Sequence, residues 1–173
     1  AWGELFVMFA TESGGVRRNS LKDFVNVKAN GKIAMKLADG DKLVRVRTCT
    51  EDDDILLSAH GGKCIRFPVT GVRVFVGRDS KGVRGIKLAK GDEVIAMSGL
   101  RHVKVDVEER DEYLASVNAA RRLNGGDYTD RPEDKARDRE LAKKLEQEQF
   151  VLMRAEEEFL LTVAADGFGK RSS

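Results

Sequence analysis

Short apolar runs alternate with glycine-bearing polar turns through the first hundred residues. Leu5 to Phe9 is apolar, a polar turn follows up to Gly14, and a mixed strand ends at Arg18. The same order returns at Ile55 to Leu57, Gly62 and Arg66, and again at Phe159 to Val163, Gly167 and Arg171. Runs this short, bounded by turn residues, predict β-hairpins, and glycine at the shared position supplies the positive φ of a tight turn. The first two copies lie 48 residues apart and the last two 105. A second segment repeats at a spacing of 51, residues 31–46 falling on 82–97 with Gly31/Gly82, Lys36/Lys87, Leu37/Leu88, Ala38/Ala89, Gly40/Gly91 and Asp41/Asp92 identical. Lys36-Leu37, then Asp39-Gly40-Asp41, then the alternating Leu43 to Val46 predict a further hairpin. About four strands per ~50 residues, repeated, predict a mainly β protein of β-propeller or β-pinwheel blades. Two four-stranded blades are expected over residues 1–100 and the start of a third over 159–173.

Residues 101–158 break the period with helical spacing. Leu114, Val117 and Ala120 share one face of a helix expected over Asp111 to Asn124, which Gly125-Gly126 stops. A second helix restarts at Thr129 to Glu133, with Asp130 as its cap and Pro132 in its first turn. It carries a narrow stripe of Leu141, Leu145 and Leu152 and a Glu140/Lys144 pair. This is an inserted α-helical hairpin. The formal charge of the whole chain, +2, conceals an uneven distribution. Arg101 to Glu158 holds 12 basic and 16 acidic residues, a net of −4, which leaves +6 on the β repeats. The longest apolar run, Leu5 to Ala10, is six residues, against roughly 20 for a bilayer span, so no membrane partner is expected. Cys49 and Cys64 are expected to be reduced thiols of a cytoplasmic protein. The start at Ala1-Trp2 and the end at Ser172-Ser173, close after an apolar run, suggest a piece of a larger protein.

Val7-Met-Phe-Ala-Thr-Glu-Ser-Gly-Gly-Val-Arg-Arg, Gly31-Lys-Ile-Ala-Met-Lys-Leu-Ala-Asp-Gly-Asp and above all Lys81-Gly-Val-Arg-Gly-Ile-Lys-Leu-Ala-Lys-Gly-Asp resemble the C-terminal domain of DNA gyrase A. Asp166-Gly-Phe-Gly-Lys-Arg-Ser is similar to the start of the next blade in that family. The resemblance covers residues 5–99 and 159–173, and the Gly-Val-Arg-Gly-Ile-Lys-Leu run is shared mainly with the related topoisomerase IV protein. It implies a six-bladed β-pinwheel whose basic rim wraps double-stranded DNA, so that the ATP-driven holoenzyme introduces negative supercoils. The implied partners are DNA, the remainder of gyrase A, and gyrase B, in a nucleoid-associated complex. No cofactor is implied in this chain; ATP and Mg²⁺ act elsewhere in the holoenzyme, and the catalytic tyrosine lies outside these residues. Two departures stand out. The family's Gln-Arg-Arg-Gly-Gly-Lys-Gly box is nowhere in the chain, and the helical insertion is not general to the family.

Wrapping needs cations along a curved surface that contact phosphates without reading bases. Candidates recur at matched positions: Arg17, Arg18, Arg66, Lys170 and Arg171 after the glycine turns, and Lys32, Lys36, Lys81, Arg84 and Lys87 in the second motif. Lys63, Arg73 and Arg78 add to them from connecting segments. Catalytic residues are not expected. His60 and His102 read as surface histidines, Gly61-Gly62-Lys63 lacks the rest of a phosphate-cradling loop, and neither Asp39-Gly40-Asp41 nor Glu51 to Asp54 has a calcium-loop ligand order. The competing class is a protein-interaction propeller whose helical insert docks a partner or regulates access to DNA.

Overall fold

The computed structural model describes residues 2–125 and 132–173. The chain divides into two compact units, Ala1–His102 and Val103–Ser173. In the first, β1 (Phe6–Thr11) and β2 (Gly15–Ser20) form a hairpin, and β3 (Leu43–Cys49) pairs antiparallel with the far side of β1. A second hairpin of β4 (Asp53–Ala59) and β5 (Cys64–Pro68) takes β7 (Val94–Arg101) beside β4 in the same manner. The short β6 (Val83–Arg84) lies between β5 and β7 in sequence but pairs with β2, matching Val83 to Val16 and Arg84 to Gly15.

The repeat extends to the register. Phe9 faces Val46 as Leu57 faces Met97, and each ladder slips at the same place, between Ala10 and Thr11 in one and between Ser58 and Ala59 in the other. The strand order is β3-β1-β2-β6 in the first sheet and β5-β4-β7 in the second. The expected four strands per blade are thus reached in the first sheet only with a strand from the following repeat. The second sheet has three among the described residues.

The hairpin expected around Asp39-Gly40-Asp41 does not form. The Asp41 N–H donates to the Ala38 carbonyl at 3.1 Å, closing a turn, but residues 31–38 join no ladder. Ala34, Met35 and Leu37 pack over Val7 and Phe9 together with Leu21 and Phe24. These apolar side chains are covered more completely on the face of the sheet than they would be in an edge strand. On the opposite face, Met8 and Ala10 join Val16, Ile55, Leu57, Val69, Ile86, Val94 and Met97 in the larger core. With both faces covered, β1 is apolar from Phe6 to Ala10 rather than alternating.

In the second unit, α1 (Val107–Leu123) starts four residues earlier than expected because Asp106 caps it, accepting the Glu109 N–H at 2.8 Å. Its buried stripe is Tyr113, Ser116 and Ala119, one position away from Leu114, Val117 and Ala120. Tyr113 sets this rotation. Its ring meets Phe150 edge-on at 5.6 Å and its hydroxyl donates to Glu157 at 2.9 Å. Burial, together with that carboxylate, pushes the Tyr113 hydroxyl up to about 12.

The second helix is broken rather than continuous: α2 (Pro132–Lys143), a 3-10 turn at Lys144–Glu146, and α3 (Glu148–Glu156) after an extended Gln147. The break buries Phe150 completely and leaves Leu152 64% exposed, so Phe150 replaces Leu152 in the buried stripe. It also re-pairs the charges. Glu140 bonds Lys143 at 2.7 Å, and Lys144 bonds Glu112 of α1. Arg122 clamps the buried Asp138 through two bonds of 2.7 Å, joining α1 to α2. Those hydrogen bonds hold the Asp138 carboxyl below the usual carboxylate range. The expected stop at Gly126 and cap at Asp130 lie outside the described residues. The unit ends in a hairpin of β8 (Leu160–Val163) and β9 (Gly169–Ser172), whose pairing of Leu161 with Arg171 repeats that of Leu56 with Arg66.

Candidate nucleic-acid interface

The arginines that recur after each glycine turn close their own hairpins. The Arg18 guanidinium lies 4.7 Å from the Phe6 ring, Arg66 donates to Asp54 at 2.7 Å, and Arg171 lies 4.6 Å from the Phe159 ring. Phe6, Asp54 and Phe159 are themselves equivalent positions at the 48- and 105-residue spacings. Each arginine therefore meets its diagonal cross-strand neighbour. Recurrence here marks a folding contact.

Arg17 and Arg18, expected on the DNA-facing rim, are buried at 0% and 5% exposure. Arg17 bonds Asn19 Oδ1 at 2.7 Å and donates to the Gly77 and Ser80 carbonyls, and burial lowers its pKa. The two side chains take opposite faces of β2: Arg17 is held by the Gly77–Ser80 segment, and Arg18 lies against Phe6 and 3.5 Å from Glu51. Neither residue belongs to an exposed track.

The cations of the second motif have the opposite placement. The β1–β2 turn and the segment before β3 enclose a groove lined by Thr11, Ser13, Lys36, Asp41, Lys81 and Arg84. A groove at the corresponding place on the second sheet is lined by His60, Gly61, Lys63, Lys87, Lys90 and Asp92. Lys36 and Lys87 are repeat equivalents, as are Asp41 and Asp92. Lys81 and Arg84 reach the first groove because β6 crosses onto β2, so that groove draws cations from two consecutive repeats. The crossing is tight. Gly82 has φ +86°, and a Cβ there would stand 2.3 Å from the Val16 carbonyl oxygen. The glycines of Gly82-Val-Arg-Gly-Ile are what let this segment reach the neighbouring sheet.

The remaining candidates divide between free and tethered. Lys63 donates to the Lys87 carbonyl at 2.5 Å, Lys32 to the Asp23 carbonyl at 2.6 Å, and Arg78 to the Ile33 carbonyl at 2.6 Å. Arg73 is exposed and stacks over Phe75 at 4.0 Å. Lys170 and Arg171 are exposed on β9.

Lys90 lies outside the sequence-based set, because Asp39 stands at its equivalent position and recurrence alone passes over it. Arg45 and Arg47, exposed on β3, match Ala96 and Ser98 and escape notice for the same reason. His102 Nδ1 lies 2.8 Å from the buried Asp54 carboxylate. Burial pushes the Cys49 thiol up to about 11. Among the described residues no group of three His, Cys, Asp or Glu could hold a metal ion, and no helix is long and apolar enough to cross a membrane.

The family model described as DNA gyrase C-terminal domain, beta-propeller, matches residues 6–50 and 53–98, one sheet repeat in each segment. This chain belongs to the DNA gyrase C-terminal domain family. The DNA gyrase A protein of Granulibacter bethesdensis is 51% identical over 99% of this chain, which spans 19% of that protein. Its counterpart from Rickettsia bellii is 45% identical over 99% of this chain, which spans 18% of its length. A solved gyrase A C-terminal domain superposes with a TM-score of 0.51 at 26% identity, covering 57% of this chain and 32% of that one. The chain thus carries the β-pinwheel blades of this family together with a helical insertion, and it spans about a fifth of its full-length relatives.

Proposed function

We propose that this chain is a non-catalytic module that binds and wraps duplex DNA, supporting ATP-dependent negative supercoiling by a gyrase holoenzyme. One observation carries the reading: the same groove is built on two successive sheets, each walled by cations. Lys36, Lys81, Arg84, Lys87 and Lys90 form no ion pair with an acidic side chain among the described residues. Free cations repeated along an array bind phosphates by releasing counterions, and with aromatic residues at only 6% of the chain, stacking on single strands contributes little. The partners proposed are double-stranded DNA, the rest of gyrase A, and gyrase B. ATP and Mg²⁺ act in other parts of that assembly.

Lysine acylation with and without a duplex of about 40 base pairs tests this placement. DNA should protect Lys36, Lys81, Lys87 and Lys90 and leave Lys143, which is paired with Glu140 on α2, as reactive as before. Protection confined to the helical insertion would contradict the proposal.

A further inference from the structure

Each basic groove has an aspartate in its lining, where a negative charge opposes phosphate binding. Both Asp41 oxygens, and one of Asp92's, are committed to hydrogen bonds within the protein. Asp41 Oδ1 accepts the Ser13 and Lys42 backbone N–H groups, both at 3.0 Å, and Oδ2 accepts the Ser13 hydroxyl at 2.6 Å. Asp92 Oδ1 accepts the Gly61 N–H at 2.8 Å and the Glu93 N–H at 2.9 Å. Both carboxylates therefore join the tip of a hairpin to the segment carrying the groove's own lysine, Lys36 in one case and Lys87 in the other. Neither ion-pairs with the surrounding cations among the described residues.

We infer that Asp41 and Asp92 are positioning residues of the DNA interface: each pins its hairpin tip to the lysine-bearing segment and so fixes the spacing of the cations across the groove. The inference rests on the DNA-binding reading above. At Asp41 the burial penalty on the charged form is outweighed by the bonds from Ser13, Thr11 and Lys42, which keep its pKa low. The groove pays one negative charge for rigid walls. Ser13 is dispensable to this device, because Gly61 occupies the matching position with no hydroxyl.

The test compares Asp41→Ala/Asp92→Ala with Asp41→Asn/Asp92→Asn in the intact gyrase A protein carrying this chain. It measures affinity for a 40-base-pair duplex between about 50 and 200 mM salt, alongside thermal stability. The alanine pair should lose about two effective phosphate contacts, reducing the salt-dependent fall in affinity about tenfold. The asparagine pair keeps an acceptor for the backbone N–H groups and should bind at least as tightly as the parent.

Unchanged affinity and salt slope in the alanine pair would overturn the positioning role while leaving the groove reading intact. An asparagine pair as weak as the alanine pair would overturn it as well. A parent protein indifferent to salt would sink the groove reading itself. If the double alanine variant unfolds, Asp41→Ala alone supplies the same comparison, with the Asp92 groove intact as an internal reference.

Discussion

Reversing Lys81, Arg84, Lys87 and Lys90 to glutamate should lower duplex affinity at least a hundredfold at low salt and flatten its salt dependence. Four lost phosphate contacts correspond to a change of about 3.6 in the slope of log affinity against log salt, which is on the order of a hundredfold between 50 and 200 mM. These residues are chosen because they wall the grooves, are exposed, and form no ion pairs among the described residues. The control is reversal of Lys135, Arg139 and Lys143 on α2, which should change affinity less than threefold. Titration of both variants against a labelled duplex separates a located track from a general effect of net charge. Equal losses in the two variants would contradict the assignment.

Gly82→Ala should cost about 3 kcal/mol or more, because strain and collision act together. The backbone there is left-handed, and the added Cβ would meet the Val16 carbonyl oxygen, a backbone atom with nowhere to move. Gly31→Ala is the matched comparison: φ is +82° and nothing stands within 4 Å. It should therefore cost only about 1 kcal/mol from the lost left-handed freedom. In a unit of about a hundred residues the difference should separate the two melting temperatures by roughly 10 °C. Similar melting temperatures would mean that the β6 crossing is not tight in solution. Gly82→Ala should also weaken duplex binding, since β6 delivers Lys81 and Arg84 to the first groove.

The blades are legible in the sequence because a β repeat records itself three times over. Spacings of 48, 51 and 105 residues reappear as matching strand registers and as positive φ at Gly14, Gly62 and Gly167. The helices are legible as helices but not in their packing. The buried face of α1 is decided by Tyr113 finding Phe150 and Glu157 across the unit, and no local spacing contains that contact.

The proposed interface is only half legible in the sequence. Recurrence identifies Lys36 and Lys87 but equally promotes Arg18, Arg66 and Arg171, whose repetition comes from the hairpin contact each makes with Phe6, Asp54 or Phe159. Conversely, Lys90 has no cationic counterpart, and Lys81 and Arg84 serve a sheet belonging to the previous repeat. A period in sequence shows what each unit needs in order to fold. Only the strand that crosses between sheets shows where cations from consecutive repeats meet.

The central claim, that two repeated basic grooves bind duplex phosphates, is tested most directly by fluorescence anisotropy of a duplex of about 40 base pairs across a salt series. With about six effective contacts, affinity should fall on the order of a thousandfold between 50 and 200 mM, alike for duplexes of different sequence. A flat salt response, or affinity that follows base sequence rather than salt, would contradict it.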